Sequence, residues 1–257
     1  MTPILKELLE QAAVYDVQQP PANVGEYPTT GSGIASWIDH TALKPETTPA
    51  QIELLCKEAV LYGFASVCVN PIAVPLAVRR LETCQIPVCS VIGFPLGACP
   101  TATKLAEAQW CLKEGARELD MVIPIGWLKG GKNQYVLDDI RAIVDAAHAS
   151  RALVKVILEM AFLTRREKML ACLLSQAAGA DFVKTSTGFG PSGATVEDVA
   201  LMNAVVGGPG RLGVKAAGGI RSLEDAQAML KAGATRLGAS AGVKIIQQAL
   251  KAQAPCQ

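Results

Sequence analysis

Short β-rich segments alternate with helical segments along most of the chain. The β-rich segments are dominated by apolar residues and recur at intervals of roughly 22 to 35 residues, the repeat expected of β/α units. Eight such segments are predicted as strands: "IASWID" (34–39), "FASVCVN" (64–70), "IPVCSVIGF" (86–94), "ELDMVIP" (118–124), "ALVKVILE" (152–159), "DFVKTS" (181–186), "RLGVKAAGG" (211–219) and "TRLGAS" (235–240). The pattern therefore predicts an α/β fold.

The segments between these strands have the composition of helices, rich in Ala, Leu, Glu and Lys. Helices are predicted at 50–62, 102–115, 165–178 and 222–232. The first of them shows both of its ends, with Thr48 as N-cap, Pro49 in the first turn and Gly63 after the last turn.

Eight β/α units in one domain favour a closed (β/α)8 barrel, the TIM-barrel architecture, over an open doubly wound sheet, which is the main alternative. No predicted strand is followed by the GxGxxG or GxxxxGK[ST] phosphate loops that open sheets often use. We predict a barrel domain at 34–257. A short helix (4–15) and a linker rich in Pro, Gly, Ser and Thr are predicted ahead of it, within residues 1–33.

The composition excludes several classes of protein. Lys+Arg number 24 and Asp+Glu 23, so a formal net charge of +1 offers no broad attraction for nucleic acid or an anionic membrane. The N-terminus lacks the pattern of a signal peptide, and no apolar run reaches the roughly 20 residues that span a bilayer. The eight cysteines are scattered without a CxxC pair, which favours reduced thiols and a cytoplasmic location.

Charged residues interrupt the apolar pattern of five predicted strands. They are Asp39, Asp120, Lys155, Lys184 and Lys215. Because alternate side chains of a barrel strand point inward, these charges are predicted to converge on one interior. For each residue taken singly, a strand-end charge or a structural salt bridge is an alternative. Buried charge is costly unless paired, so its recurrence on neighbouring strands favours a functional site.

A lysine among other cations and apolar walls loses its proton more readily, because burial and like charge both disfavour the ammonium form. The neutral amine can attack a carbonyl to form a Schiff base, which makes the adjacent carbon acidic. Lys184 fits this role, with Lys215 one strand away as the perturbing charge and Asp120 as the proton shuttle.

Three glycine-containing segments follow the late strands: "STGFG" (186–190), "AAGG" (216–219) and "LGAS" (237–240). Loops after the seventh and eighth strands of such barrels often bind phosphate through backbone N–H groups. Each segment singly also fits a tight turn, but the three together favour a phosphorylated substrate.

Metal chemistry has little support in the sequence. The only histidines are His40, which is predicted to make a local hydrogen bond, and His148, which is predicted on the surface of a helix. Cys68 lies near a strand end, where it is either a pocket residue or a small apolar core residue. No metal site is therefore predicted.

The sequence resembles the class I deoxyribose-phosphate aldolases in motifs that occur in family order from Ser36 to about Ile246. The motifs are "IDHTALKPETT" (38–48), "SVCVNP" (66–71), "VCSVIGFPLGA" (88–98), "ELDMVIPIG" (118–126), "VKVILE" (154–159), "DFVKTSTGF" (181–189), "GVKAAGGIRS" (213–222) and "RLGASAG" (236–242). The resemblance implies a barrel that reversibly cleaves 2-deoxy-D-ribose 5-phosphate to D-glyceraldehyde 3-phosphate and acetaldehyde, without metal or organic cofactor. Homodimers are common among such barrels, so a homodimer is expected.

The same resemblance implies a role for each residue that matches a motif. Lys184 is implied as the Schiff-base lysine, Lys215 as the neighbour that weakens its hold on a proton, and Asp120 as the proton relay with water. Asp39 is implied to support that relay, and Lys155 to belong to its hydrogen-bond network. The implied substrate-binding residues are Cys68, Thr185, Gly188, Gly218, Gly219, Gly238 and Ser240.

Some features depart from the pattern in parts of the family. Phe189 and Ala241 stand where some members have a lysine and a second serine, which predicts weaker phosphate binding, and the tail "KAQAPCQ" (251–257) lacks the terminal tyrosine of some members.

Two other functions stay open. Another Schiff-base phosphosugar aldolase, for example a transaldolase-like enzyme, is disfavoured by the pairing of "VKTSTG" with "VKAAGG". A non-catalytic barrel that binds sugar phosphates is disfavoured because every candidate catalytic residue is present.

Overall fold

The computed structural model describes residues 2–17, 26–28, 31–208 and 210–253. Within these ranges, eight parallel strands close into a barrel in which each strand pairs with the next and the last with the first. The strands are β1 (Ile38–Ala42), β2 (Ser66–Val69), β3 (Val88–Ile92), β4 (Glu118–Val122), β5 (Leu153–Ile157), β6 (Phe182–Lys184), β7 (Gly213–Ala217) and β8 (Arg236–Ala239). The predicted (β/α)8 barrel is confirmed.

Helices alternate with the strands along the described parts of the chain. They are α1 (Pro3–Val17), α2 (Gly31–Ala35), α3 (Pro49–Tyr62), α4 (Val74–Leu81), α5 (Thr101–Lys113), α6 (Ile125–Lys129), α7 (Asn133–Ala149), α8 (Arg165–Ala177), α9 (Val196–Val206), α10 (Leu223–Lys231) and α11 (Gly242–Gln253). Single 3-10 turns, Pro71–Ala73 and Met160–Phe162, follow β2 and β5. The four helices predicted between the strands and the helix predicted at 4–15 are confirmed, with ends that lie within two residues of the prediction.

Helix α3 begins and ends where its sequence signals predict. The Thr48 side chain accepts a hydrogen bond from the Gln51 amide, and the Gln51 side chain accepts one from the Thr48 amide, which forms a capping box. Gly63 ends the helix in the left-handed region at φ 70° and donates its N–H to the Ala59 carbonyl. These local bonds fix the loop that carries the chain from β1 into α3.

The first strand lies further along the chain than predicted. The prediction placed it at 34–39, whereas β1 begins at Ile38. Ile34 and Ala35 are fully buried, but they belong to the short helix α2, which packs against α11. A short apolar run does not distinguish a buried helix from a buried strand, which explains the difference.

The N-terminal helix packs on the outside of the barrel. Helix α1 contacts α8, and its Leu5, Leu8 and Ala12 side chains are buried. The predicted linker falls largely on residues 18–25 and 29–30, which lie outside the described residues, as do residues 254–257 of the tail. The division at residue 34 therefore stays a prediction. In the described part of the chain, no helix is both long and apolar enough to cross a membrane.

Strand register places the charged residues beside one another. Asp120 of β4 lies opposite Lys155 of β5, and Lys184 of β6 lies opposite Lys215 of β7. Asp39 of β1 aligns with Gly238 of β8. Because side chains of one parity share a face of the sheet, this register directs all five charges into the barrel.

A separate ion pair connects two helices on the outside of the barrel. Lys104 of α5 donates to Asp139 Oδ2 of α7 at 2.7 Å and to the Val122 carbonyl at 2.8 Å. The second oxygen of Asp139 accepts from the Thr101 hydroxyl at 2.7 Å. Both charged side chains are completely buried, so each charge depends on the other for its solvation.

We expect Asp139→Ala to lower the free energy of unfolding by about 3 to 5 kcal/mol, because it leaves the Lys104 ammonium buried without a counterion. Urea denaturation checks this. Asp138→Ala is the matched control, since that neighbouring side chain is 58% exposed, and its effect should stay within about 0.5 kcal/mol. A loss below about 1 kcal/mol for Asp139→Ala would contradict the assignment of a desolvated pair.

Candidate active site

A pocket of about 450 Å³ opens at the carboxyl ends of the barrel strands. Its walls are the loops after β1, β6, β7 and β8. The lining residues are Thr41–Lys44, Thr47, Gln51, Lys184, Thr187–Phe189, Ala217–Arg221 and Gly238–Ser240. This end of the barrel is where (β/α)8 enzymes carry their active sites.

Lys184 lies at the floor of the pocket as the last residue of β6. It is 2% exposed, and its ammonium group donates to Asp120 Oδ2 at 2.8 Å. Asp120 is its sole carboxylate partner among the described residues. Lys184 therefore has one face toward the pocket and one toward a buried carboxylate.

Asp120 is the centre of a buried charge network. Its Oδ2 accepts from both Lys184 and Lys215, the latter at 2.6 Å, and its Oδ1 accepts from Lys155 at 2.9 Å. Burial alone would raise the pKa of Asp120, but the three ammonium groups outweigh it and hold the pKa well below its usual range. Asp120 is thus held in its anionic form while the three neighbouring ammonium groups stay charged.

Lys215 is held in its charged form by two carboxylates. It donates to Asp120 and also to Asp39 Oδ2. Burial would lower the pKa of Lys215, but Asp120 and Asp39 raise it above its usual value. Burial likewise acts to raise the pKa of Asp39, and Lys215 and Lys155 overcome that effect and lower it. Lys215 therefore donates as a cation to Asp120 Oδ2, the same oxygen that accepts from Lys184.

Lys155 of β5 is the third ammonium group of the network. Its ammonium group contacts Glu118 Oε2 at 2.5 Å and Asp120 Oδ1 at 2.9 Å, and it lies 3.6 Å from Asp39 Oδ2. Burial acts to lower its pKa, but the nearby carboxylates raise it well above the usual value. Cys89 adds a weak donor, since its thiol lies 3.2 Å from Asp120 Oδ1.

The sequence reasoning missed Glu118 and Arg236, which complete the network. Arg236 Nη1 donates to Asp39 Oδ1 at 2.6 Å and lies 3.3 Å from Glu118 Oε2. Both are the first residues of their strands, where a charge usually faces solvent. The sequence position of Glu118 could have predicted its placement. It lies two residues before Asp120 and therefore on the same face of β4.

The glycines predicted to bind phosphate gather on one wall of the pocket. Gly188, Gly218, Gly219, Gly238 and Ser240 all line it. Gly218 has φ 89° and its Cα lies against Gly193, so a Cβ there would collide with backbone. The structure adds two exposed cations that the sequence reasoning did not name, Lys44 and Arg221.

Two predicted substrate-binding residues lie beneath the pocket rather than on its surface. The Thr185 hydroxyl donates to the Ala217 carbonyl and accepts from the Ala217 amide, both at 3.1 Å, and so bridges β6 and β7. Cys68 is buried in a small cluster with Leu43, Cys89 and Val91. Their roles toward substrate stay predictions.

A buried glutamate supports the loop after β6. Glu159 has φ 53°, in the left-handed region, and its Oε2 accepts from the Thr187 amide at 3.1 Å and the Thr187 hydroxyl at 2.5 Å. Glu159 is the last residue of the predicted strand 152–159, but it lies beyond β5, which ends at Ile157. Its strained backbone and its contacts tie the end of β5 to the loop that lines the pocket.

One group of side chains has the composition of a metal site. Among the described residues, Cys68, Cys89 and Asp120 offer ligand atoms within 4.8 Å of one another. Three ammonium groups already contact Asp120, and their charge opposes a divalent cation there.

The histidines make local contacts. His40 is buried, with its Nε2 2.7 Å from Glu58 Oε2, and its ring stacks on Phe64. His148 lies on α7, exposed at 44% of its side chain and 2.9 Å from Asp181. Both placements match the predictions for these residues.

Comparison with known proteins agrees with the geometry. Residues 34–248 match the model of the DeoC/LacD family aldolases. A deoxyribose-phosphate aldolase of Thermococcus gammatolerans is 56% identical over 225 residues, which cover 87% of this chain and 99% of that protein. Deoxyribose-phosphate aldolase 1 of Bacillus licheniformis is 57% identical over 214 residues, 83% of this chain and 95% of that protein.

Solved structures show the same relationship. A crystal structure of a Coccidioides immitis protein superposes with a TM-score of 0.88 at 45% identity and covers 95% of this chain and 96% of its own. The tetrameric deoxyribose phosphate aldolase of Aeropyrum pernix superposes with a TM-score of 0.81 at 35% identity, over 94% of this chain and 96% of its own. The match over residues 34–248, together with these relatives, shows that the chain belongs to the DeoC/LacD aldolase family.

Proposed function

We propose that the protein is a class I aldolase that reversibly cleaves 2-deoxy-D-ribose 5-phosphate to D-glyceraldehyde 3-phosphate and acetaldehyde through a Schiff base on Lys184. The observation that carries the proposal is the position of Lys184, a nearly buried amine at the floor of a pocket, beside a permanently charged lysine. Relatives named deoxyribose-phosphate aldolase support the choice of substrate.

The ion pairs support Lys184 as the nucleophile. Lys155 contacts three carboxylates and Lys215 contacts two, whereas Lys184 contacts one. Four cationic side chains of the network, including Arg236, face three carboxylates. Of these cations, Lys184 therefore has the fewest ion pairs to give up when it forms a covalent bond with substrate.

The reaction follows from a neutral amine at this place. The Lys184 amine adds to the C1 aldehyde of the open-chain sugar, and loss of water gives a protonated Schiff base. The C3 hydroxyl gives its proton to the relay of Asp120 and water, and the C2–C3 bond breaks so that C3 to C5 leave as D-glyceraldehyde 3-phosphate. The electron pair of the broken bond flows into the iminium to leave an enamine. Protonation of C2 and hydrolysis then release acetaldehyde and restore the amine. Asp120, with water, serves as the proton relay.

The pocket wall suits the phosphate end of this substrate. Backbone N–H groups of the glycine-rich loops supply donors, and Lys44 and Arg221 supply positive charge at the mouth. Phe189 lies on the same wall, with its ring edge against Phe94 at a centroid distance of 5.3 Å. An aromatic ring contributes no positive charge there, which supports the expectation of weaker phosphate binding.

Neither a metal nor an organic cofactor takes part in the proposed chemistry, because the iminium formed on Lys184 is the electron sink. We place the protein in the cytoplasm, where the buried thiols of the described residues stay reduced. A homodimer is the proposed assembly, although the relative from Aeropyrum pernix is described as a tetramer.

Borohydride reduction in the presence of acetaldehyde tests the Schiff base. We expect a reduced ethyl adduct on Lys184, located by peptide mass spectrometry, because reduction converts the imine into a stable secondary amine. Lys184→Leu should show no adduct at any lysine. A folded wild-type protein without an adduct would reject the covalent mechanism and favour a binding protein.

Changing Lys215→Leu should lower kcat for deoxyribose phosphate cleavage by at least about 100-fold, because it removes the cation that shares Asp120 with Lys184. Steady-state kinetics at neutral pH checks this, with circular dichroism to show that the fold is retained. Lys231→Leu is the control, since this lysine lies exposed in the last turn of α10. Near-normal turnover of Lys215→Leu would refute the proposed role.

A further inference from the structure

Glu118 and Arg236 form an ion pair at the end of the barrel opposite the pocket, and we call them the closed-end pair. They are the first residues of β4 and β8, strands that lie across the barrel from each other. Arg236 Nη1 lies 3.4 Å from Glu118 Oε1 and 3.3 Å from Oε2. Both side chains are largely buried, at 5% exposure for Glu118 and 15% for Arg236.

Each member of the pair also holds one residue of the catalytic network. Arg236 binds Asp39 Oδ1 at 2.6 Å, and Asp39 uses its other oxygen for Lys215. Glu118 Oε2 binds Lys155 at 2.5 Å, and Lys155 continues to Asp120. Two chains of contacts therefore run from the closed-end pair to the carboxylate beneath Lys184.

Lys155 lies between two carboxylates, those of Asp39 and Asp120, for which a competing arrangement can be inferred. Lys155 lies 3.6 Å from Asp39 Oδ2 and 2.9 Å from Asp120 Oδ1. With Arg236 absent, Asp39 would have an unpaired oxygen and could draw Lys155 away from Asp120. With Glu118 absent, Lys155 would lose its shortest contact and be free to make that move.

A role limited to stability does not account for the chemistry of the pair. Apolar residues of similar volume usually stabilise a buried position as well as an ion pair does, because they avoid the cost of desolvation. Arg236 also has Phe182 at 5.4 Å from its guanidinium carbon, so an apolar neighbour was available for packing. The charge of Arg236 is needed for its contact with Asp39, and the charge of Glu118 for its contact with Lys155.

We propose that Glu118 and Arg236 are positioning residues for the aldolase reaction, which hold Asp39 and Lys155 so that Lys215 and Asp120 keep their places beneath Lys184. This inference rests on the proposed function. It assigns no contact with substrate to either residue, since neither lines the pocket. It therefore predicts an effect on kcat without a matching effect on KM.

The test compares Arg236→Met and Glu118→Gln with wild type in deoxyribose phosphate cleavage. We expect each variant to lower kcat by about 10- to 100-fold, the loss typical of misplaced catalytic groups, with KM within about twofold. Borohydride trapping counts the competent Lys184 sites, so that kcat is expressed per trapped site. Arg236→Lys, which keeps the charge, should recover part of the lost kcat.

Two further variants sharpen the result. Arg117→Met is the matched control, because Arg117 precedes Glu118 but is exposed and donates to the Ala116 carbonyl, and its kcat should equal that of wild type. The double variant Glu118→Gln/Arg236→Met removes one charge of each sign. If the two residues act on one network, it should lose less activity than the product of the two single losses.

Each outcome decides between the two proposals. A wild-type enzyme that is active, with both single variants at wild-type kcat per trapped site, would overturn the positioning role and leave the proposed function intact. A fall in trapped sites with unchanged kcat per site would assign the pair to stability alone and overturn it as well. A wild-type protein without turnover or adduct would overturn the proposed function and the positioning role together.

Discussion

The contact of one carboxylate with three ammonium groups is the interaction on which the rest of the site depends. Asp120 binds Lys155, Lys184 and Lys215 in a fully buried position, where each charge needs the others for its solvation. Strands β4 to β7 bring these residues together only in the observed register. A slip of one residue in any of these strands would turn its charge out of the barrel. The strand pairing that closes the barrel therefore also brings the residues of the site together.

Every cation of the network except Lys184 contacts at least two carboxylates. Lys155, Lys215 and Arg236 have pKa values raised above their usual range by neighbouring carboxylates, against the effect of burial. Lys184 has a single carboxylate, which it shares with Lys215. A barrel optimised for stability alone would balance its charges or bury apolar residues instead. The cation with a single ion pair, Lys184, is the one that faces the pocket.

The sequence predicted the residues that break an apolar strand pattern, and missed those whose role depends on position in space. Lys155, Lys184 and Asp120 interrupt buried strands, so their inward placement followed from parity. Glu118 and Arg236 begin their strands, where charge is common. The role of Glu159 depends on a left-handed backbone and a loop contact that no periodicity encodes. The start of β1 was misplaced because Ile34 and Ala35 are equally apolar in a helix or a strand.

The strands and the loops of this barrel have separate tasks. The charged groups that act on the proposed Schiff base lie on strands, held in place through contacts that reach the closed end of the barrel. Most of the groups that face the phosphate end of the proposed substrate lie on loops, as Gly188, Phe189 and Arg221 do, whereas Gly238 lies on β8. We expect a substitution in these loops to change which aldehyde fits without moving Asp120 or its lysines, because those residues lie on strands. Differences between relatives in phosphate binding are therefore expected at the loop positions, with the chemistry of Lys184 unchanged.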